Sequence, residues 1–217
     1  MGSITRSLSN NITTGGVILP AGITNDSVSA VTSFANASGG TLILLSTQTA
    51  SASATISFTT GLDSTYDEYI FKIINCHPAS GSALLFNLST DGGSNYNVTK
   101  TSTYFWSYHT EDDLESVLEY RGANDLAQGT GTQALTTTIG ATNKESAVAE
   151  LQLFNPSSTT YVKHWISVSN YISSGYSLND RSAGYANTTS AINAVRFQMS
   201  SGNIDDGIFK LYGVKKS

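Results

Sequence analysis

Charge is scarce in this chain. Lys, Arg, Asp and Glu make up 12% of 217 residues, against about a quarter in an ordinary soluble domain. Cations number 11 against 16 anions, a net charge of −5, and the only adjacent basic pair is Lys215–Lys216. A nucleic-acid binder needs clustered Lys and Arg to displace counterions, so that class is excluded. One cysteine, Cys76, rules out an internal disulfide and a thiolate metal cluster. No apolar run reaches the ~18 residues of a membrane-spanning helix, so no membrane insertion is expected. The first residues lack a basic stretch followed by an apolar one, so no secretion signal is expected either. The Asn-x-Ser/Thr triplets at Asn11, Asn25, Asn36, Asn87, Asn97 and Asn187 then follow from composition, in a chain made in a reducing cytoplasm. Fixed-period repeats and coiled-coil heptads are lacking too, which excludes propellers, solenoids and fibrous shafts.

What fills the chain is Ser and Thr, together about a quarter of it. Small hydroxyls lose little side-chain entropy when covered, which suits permanent contacts; Thr also fits strands and Ser fits turns. Residues 1–40 are the extreme case, with Arg6 and Asp26 the sole ionisable side chains before Asp63. Such a ribbon buries too little apolar surface to order itself, so it is expected to lie as an extended arm on its own domain or on a neighbour.

From residue 41 onward the periodicity is that of strands. Leu42–Leu45 is an apolar run, and Thr55–Thr59 alternates. Tyr69–Asn75 is apolar on both parities and reads as a central strand stopped by His77–Pro78. Leu84, Phe86 and Leu88 share a face before the turn Asp91–Gly92–Gly93. Tyr96–Tyr108 is rich in Thr and aromatics, and the acidic stretch 111–120 reads as a loop or single helical turn. Leu135–Ile139 and Ala149–Phe154 follow. Val162, His164, Ile166 and Val168 are expected inward, opposite Tyr161, Lys163 and Trp165. Val195, Phe197 and Met199 line another strand, and Asp205–Asp206–Gly207 reads as the turn into Ile208–Val214. About nine or ten short strands without a long helix predict an all-β fold, an antiparallel jelly-roll-like β-sandwich over 41–217 behind the N-terminal arm 1–40.

Chemistry-bearing motifs are weak. Asp63, Asp67 and Glu68 are calcium candidates by spacing, although turn capping explains them equally. His109 beside Glu111–Asp113 is a similar case. Cys76–His77 are neighbours in sequence, and neither a nucleophile elbow nor a phosphate loop is present, so no enzyme and no cofactor is expected. Tyr104, Phe105, Trp106 and Tyr108 border the acidic stretch, which suits either a sugar or a subunit interface.

Three ordered segments resemble accessory structural proteins of tailed bacteriophages. The first is LDSTYDEYIFKIINCHPASGSALLFNLSTDGGSNY (62–96), with Tyr66–Asp67–Glu68–Tyr69 entering a strand, an Asn75–Pro78 turn and Ser89–Gly93 closing the next strand. The second is AINAVRFQMSSGNIDDGIFKLYGVK (191–215), ending in Leu-Tyr-Gly-Val; the third is the opening GSITRSLSNNITTGG (2–16). Together they cover about a third of the chain. The resemblance implies a jelly-roll-like, typically homotrimeric, non-enzymatic virion protein assembled in the bacterial host cytoplasm. A capsid decoration (cement) protein that docks on the major capsid protein through its arm is the first expectation. A tail or head fibre module meeting a host surface glycan is the alternative, and a free carbohydrate-binding module is the third. The interface candidates are Ile4, Arg6, Leu8, Ile12, Val17, Ile18 and Leu19 in the arm, and Tyr104, Trp106 and Trp165 in the sandwich.

Overall fold

The computed structural model describes residues 41–216 and, in the N-terminal part, the backbone of 12–13 and 16–17. The chain divides into two units, 1–39 and 40–217. In the first, β1 (Ile12–Thr13) pairs antiparallel with β2 (Gly16–Val17), Ile12 opposite Val17. The candidates Ile4, Arg6, Leu8, Ile18 and Leu19, and the side chains of Ile12 and Val17, lie outside the described residues.

The second unit is a sandwich of two antiparallel sheets without a helix among the described residues. Its strands are β3 (Leu42–Ser53), β4 (Ile56–Phe58), β5 (Glu68–Pro78), β6 (Ser82–Ser89), β7 (Lys100–Thr110), β8 (Ser116–Tyr120), β9 (Gln133–Ile139), β10 (Ala147–Phe154), β11 (Lys163–Ser173), β12 (Tyr176–Ala186), β13 (Ala194–Met199) and β14 (Ile204–Val214). The wide sheet has eight strands in the order β3-β14-β5-β10-β11-β12-β7-β8, and the narrow one has four, β4-β13-β6-β9. Both are antiparallel throughout.

Aromatic edges join the two sheets. Phe197 of β13 meets Phe71 of β5 at 5.4 Å between ring centroids and Phe209 of β14 at 5.5 Å; Phe58 of β4 meets Phe71 at 5.3 Å. Phe86 of β6 meets Trp165 of β11 at 5.6 Å. Trp165 has room because its cross-strand partner is Gly184; a Cβ there would sit 2.5 Å from the indole and 2.4 Å from the Thr101 carbonyl. Leu84, Phe86 and Leu88 are all fully buried, as their shared parity predicts. β5 is central as expected, between β14 and β10.

Several readings change. His164, Ile166 and Val168 point outward, and Lys163, Trp165, Ser167, Ser169 and Tyr171 point inward, the reverse of the hydropathy reading. β5 runs through His77–Pro78 rather than stopping there. Asp205–Asp206–Gly207 is an irregularity within β14, not a turn before it; the register shifts on both sides of Asp206, and Gly207 has φ +146°. The acidic stretch ends in strand β8 instead of a helical turn. β12, which no hydropathy pattern marks, is a full interior strand. At Asp91–Gly92–Gly93 the glycines do take positive φ, +72° and +90°. Asp91 Oδ1 accepts from Ser89 Oγ and the Asn95 amide, and these bonds hold its carboxyl down to about 2.

Lys100 and Lys163 are wholly enclosed. The Lys100 ammonium donates to Asn87 Oδ1 at 2.6 Å and the Val98 carbonyl at 2.7 Å; Lys163 donates to the carbonyls of Thr188 and Ser190. Burial lowers Lys100 to about 8 from an ordinary 10.5. The unfolded chain therefore binds more protons between those values, so stability rises with pH there and is lost as pH falls through 8. Above about pH 10 the trend reverses, because burial raises Tyr104 and Tyr171 and the unfolded tyrosines ionise first. The buried Cys76 thiol opposes this, since its unfolded form ionises near 9, so urea unfolding should show a net gain of about 1 kcal/mol between about pH 7.5 and about pH 9.5. Lys100→Met should flatten that slope; an equal slope in the variant assigns it to another group.

Candidate functional site

The narrow sheet cannot cover the wide one. Four extra strands at ~4.8 Å spacing leave about 20 Å of width to be shared between the two margins. At the β7–β8 margin the inward-facing row Ser169–Asp180–Trp106–Glu119 runs across β11, β12, β7 and β8, with Tyr171–Leu178–Tyr108–Val117 next to it. The edge strand β9 closes over the Asp180 end of these rows. Ser169 Oγ donates to the Leu135 carbonyl, and the Thr137 amide donates to Asp180 Oδ2 at 2.7 Å. Beyond β9 the rows are open, forming a cleft of about 470 Å³.

Trp106, Tyr108 and Tyr176 line this cleft with Arg121, Leu178, Thr137, Thr138, Ser173 and Ser174. The three rings stand edge to face, Trp106–Tyr108 at 5.4 Å and Tyr108–Tyr176 at 5.3 Å. The Arg121 guanidinium lies 4.0 Å over the Trp106 ring and 3.6 Å from Glu119, whose carboxylate accepts from the indole N–H at 3.2 Å. The rim at Ser174 is fixed by Glu145, which accepts from the amides of Ser174 at 2.6 Å and Thr142 at 2.9 Å. These amides hold the Glu145 carboxyl below its ordinary value. A second hollow, lined by Glu111, Asp112, Ser174 and Tyr176, continues the cleft toward the acidic loop.

Beneath the cleft, Asp180 is fully buried. Its Oδ2 accepts from Tyr104 Oη at 2.5 Å, Tyr171 Oη at 2.8 Å and the Thr137 amide, while Oδ1 has no protein partner. Burial raises the Asp180 carboxyl, partly opposed by these donors. Tyr104 and Trp165, expected at a subunit interface, are 0% and 1% exposed inside this chain. Both are core residues, because the sheet alternation turns their rings toward the narrow sheet. Trp106 is half-buried at the cleft and stays accessible.

The outward face of the wide sheet is the second feature. Register aligns Leu44, Tyr212, Ile70, Gln152, Ile166 and Ala183 in one row over β3, β14, β5, β10, β11 and β12. Leu44 and Ile166 are each 52% exposed. The parallel row holds Lys210, Lys72, Glu150, Val168, Arg181 and Phe105, with Lys72 paired to Glu150 at 3.3 Å. At the margin Phe105 packs edge to face on Tyr120, and Leu118 stands exposed beside them.

The calcium candidates do not converge. Asp63 Oδ1 accepts from the Thr65 amide at 2.8 Å and Tyr69 Oη at 3.0 Å, a turn cap, and these bonds lower its carboxyl. Asp67 pairs with Lys216 at 2.9 Å, and Glu68 opens β5. His109 pairs with Asp113 at 2.9 Å. Among the described residues, no group of three or more His, Cys, Asp or Glu side chains could hold a metal ion. Cys76 is buried, and burial pushes its thiol up to about 12, far from a nucleophile's range.

Asp180→Ala should cost about 3 kcal/mol in urea unfolding, since it strands the buried Tyr104 phenol and leaves Tyr171 and the Thr137 amide only their bonds to each other. Asp180→Asn, which keeps an acceptor, should cost less; equal losses would assign the effect to packing. Comparison with known proteins finds no matching family model, no matching curated protein and no matching solved structure for this chain.

Proposed function

We propose that this chain is a non-enzymatic structural subunit of a tailed-phage virion. In this reading it is a capsid decoration protein that docks through residues 1–40 and packs its sandwich against further copies of itself as a homotrimer. The observation that carries the reading is the outward face of the wide sheet. A solvated antiparallel face is normally polar, whereas this one exposes Leu44, Val148 and Ile166 along with the half-buried Tyr212. The row spans six strands, too broad for one peptide segment. The natural cover is another sheet face at ~10 Å, and a second copy of the chain supplies one. Lys72 pairs with Glu150 within the face, Lys210 and Arg181 stand in the same row, and the sparse charges elsewhere leave most of the contact to burial and neutral hydrogen bonds. The phage character rests on the resemblance of segments 2–16, 62–96 and 191–215. The fibre alternative is favoured by one observation, the aromatic cleft, whose rings face away from the outer surface.

Light scattering on the full chain should give one oligomer mass, three times the chain's own, unchanged as salt rises, because apolar contacts are weakly screened. Ile166→Glu, on an exposed outward position, should yield a folded monomer that still melts cooperatively, at a lower temperature because association no longer stabilises it. A wild-type monomer at micromolar concentration overturns the assembly, and an oligomer that dissolves with salt overturns its neutral character. Protein beginning at Gly40 should melt cooperatively yet fail to join particles; full occupancy without residues 1–39 refutes the docking role.

A further inference from the structure

We propose that the cleft between β9 and the β7–β8 margin is a binding site for a neutral saccharide. The inference does not depend on the assembly reading, since the cleft lies on the inward side of the wide sheet and the proposed subunit contact on the outward side. Its volume, about 470 Å³, falls in the ~300–1,000 Å³ range of small-molecule sites. A pyranose presents C–H groups on its faces and hydroxyls around its edge. The cleft offers the complementary set: the rings of Trp106, Tyr108 and Tyr176, then the hydroxyls of Thr137, Thr138, Ser173 and Ser174.

Charge selects among saccharides. The cation in the cleft, Arg121, already has Glu119 at 3.6 Å and the Trp106 ring beneath it. Glu111 and Asp112 line the adjoining hollow and share Ser174 and Tyr176 with the cleft. Glu115 adds to the negative field, raising the Tyr108 phenol after desolvation has done so. A uronate or sialate carboxylate would enter against this field, whereas a neutral sugar finds acceptors for its hydroxyls in the same carboxylates.

The walls are preorganised, which lowers the cost of binding. Thr137 is tied to the Asp180–Tyr171 network, Ser174 to Glu145, and the three rings brace one another edge to face.

Calorimetric titration of the full chain tests the site. The probes are four neutral oligosaccharides (maltotetraose, N-acetylchitotetraose, mannotriose and lactose), two anionic ones (sialyllactose and tetragalacturonate), and a decaproline peptide. At least one neutral oligosaccharide should bind at millimolar concentration or below and perturb Trp106 emission. Tyr176→Ala and Trp106→Ala should weaken it about tenfold. Thr138→Tyr, which replaces one lining hydroxyl at an exposed position on β9 with a ring that fills the cleft and leaves the three aromatic walls in place, should abolish it with an unchanged melt. Binding that survives all three variants places the sugar elsewhere. Exclusive binding of the anionic sugars overturns the neutral class, and binding of decaproline alone assigns the cleft to peptides. No binding by any neutral probe overturns the proposal.

Discussion

The Asp180 carboxylate is where two sheets of unequal width are held together. One oxygen takes donors from β7, β11 and β9, so one side chain on β12 joins three neighbours, one of them in the opposite sheet. A buried carboxylate is costly unless its bonds are made; here Tyr104 bonds it alone, and Tyr171 is shared between it and Thr137. The position of β9 follows from this: it can come no closer to the β8 margin than the reach of Asp180. Everything beyond that line, Trp106, Tyr108 and Tyr176 included, stays uncovered.

The strands with hydrophobic inward faces were legible in the sequence; those with polar inward faces were not. Leu84–Phe86–Leu88 and Leu151–Leu153 read correctly because burial and hydropathy agree there. β12 escapes because its inward residues are Leu178, Asp180, Ser182, Gly184 and Ala186: one carboxylate in a network, one hydroxyl bonded to Ser167, and small residues under Trp165. The same logic inverts β11. Ser167 and Ser169 face inward because the Ser182 hydroxyl and the Leu135 carbonyl meet them, leaving Ile166 and Val168 outside. Period-two reasoning assumes that the apolar parity is the buried one, and a polar interior defeats it.

The same inversion explains why the site residues were only partly legible. The run Tyr104–Phe105–Trp106 and Tyr108 marks an aromatic strand, but alternation sends Tyr104 and Phe105 to opposite faces, one to the core and one to the outer margin. Which aromatic stays accessible depends on where the narrow sheet ends, a long-range property set by Asp180 and Thr137 and absent from the local pattern. Glu119 read as part of the acidic stretch and Arg121 carried no signal; pairing of β8 with β7 turns both onto Trp106. Asp63, by contrast, caps its own turn, a local role that its spacing allows, whereas Asp67 pairs with Lys216 from the other end of the chain, which no local pattern shows.

A sandwich with matched sheets has one interior and two solvated faces. This chain has an inner face too wide for its cover and an outer face that exposes Leu44, Val148 and Ile166 among its charged residues, and on β11 the second follows from placing polar residues inside. On β11 the serines committed to the inward face leave Ile166 and Val168 on the outward one, since alternate side chains must diverge, whereas β12 sends Ser177, Asn179 and Arg181 outward with Ala183 and Tyr185. The outward row through Ile166 and Ala183 and the inward network through Asp180 are therefore two sides of one arrangement. A change that restored the hydropathy-preferred parity of β11 would hide Ile166 and Val168. It would also break the bonds that stop β9 short of the cleft, so the outer surface and the cleft can be altered separately by single side chains but not by strand register.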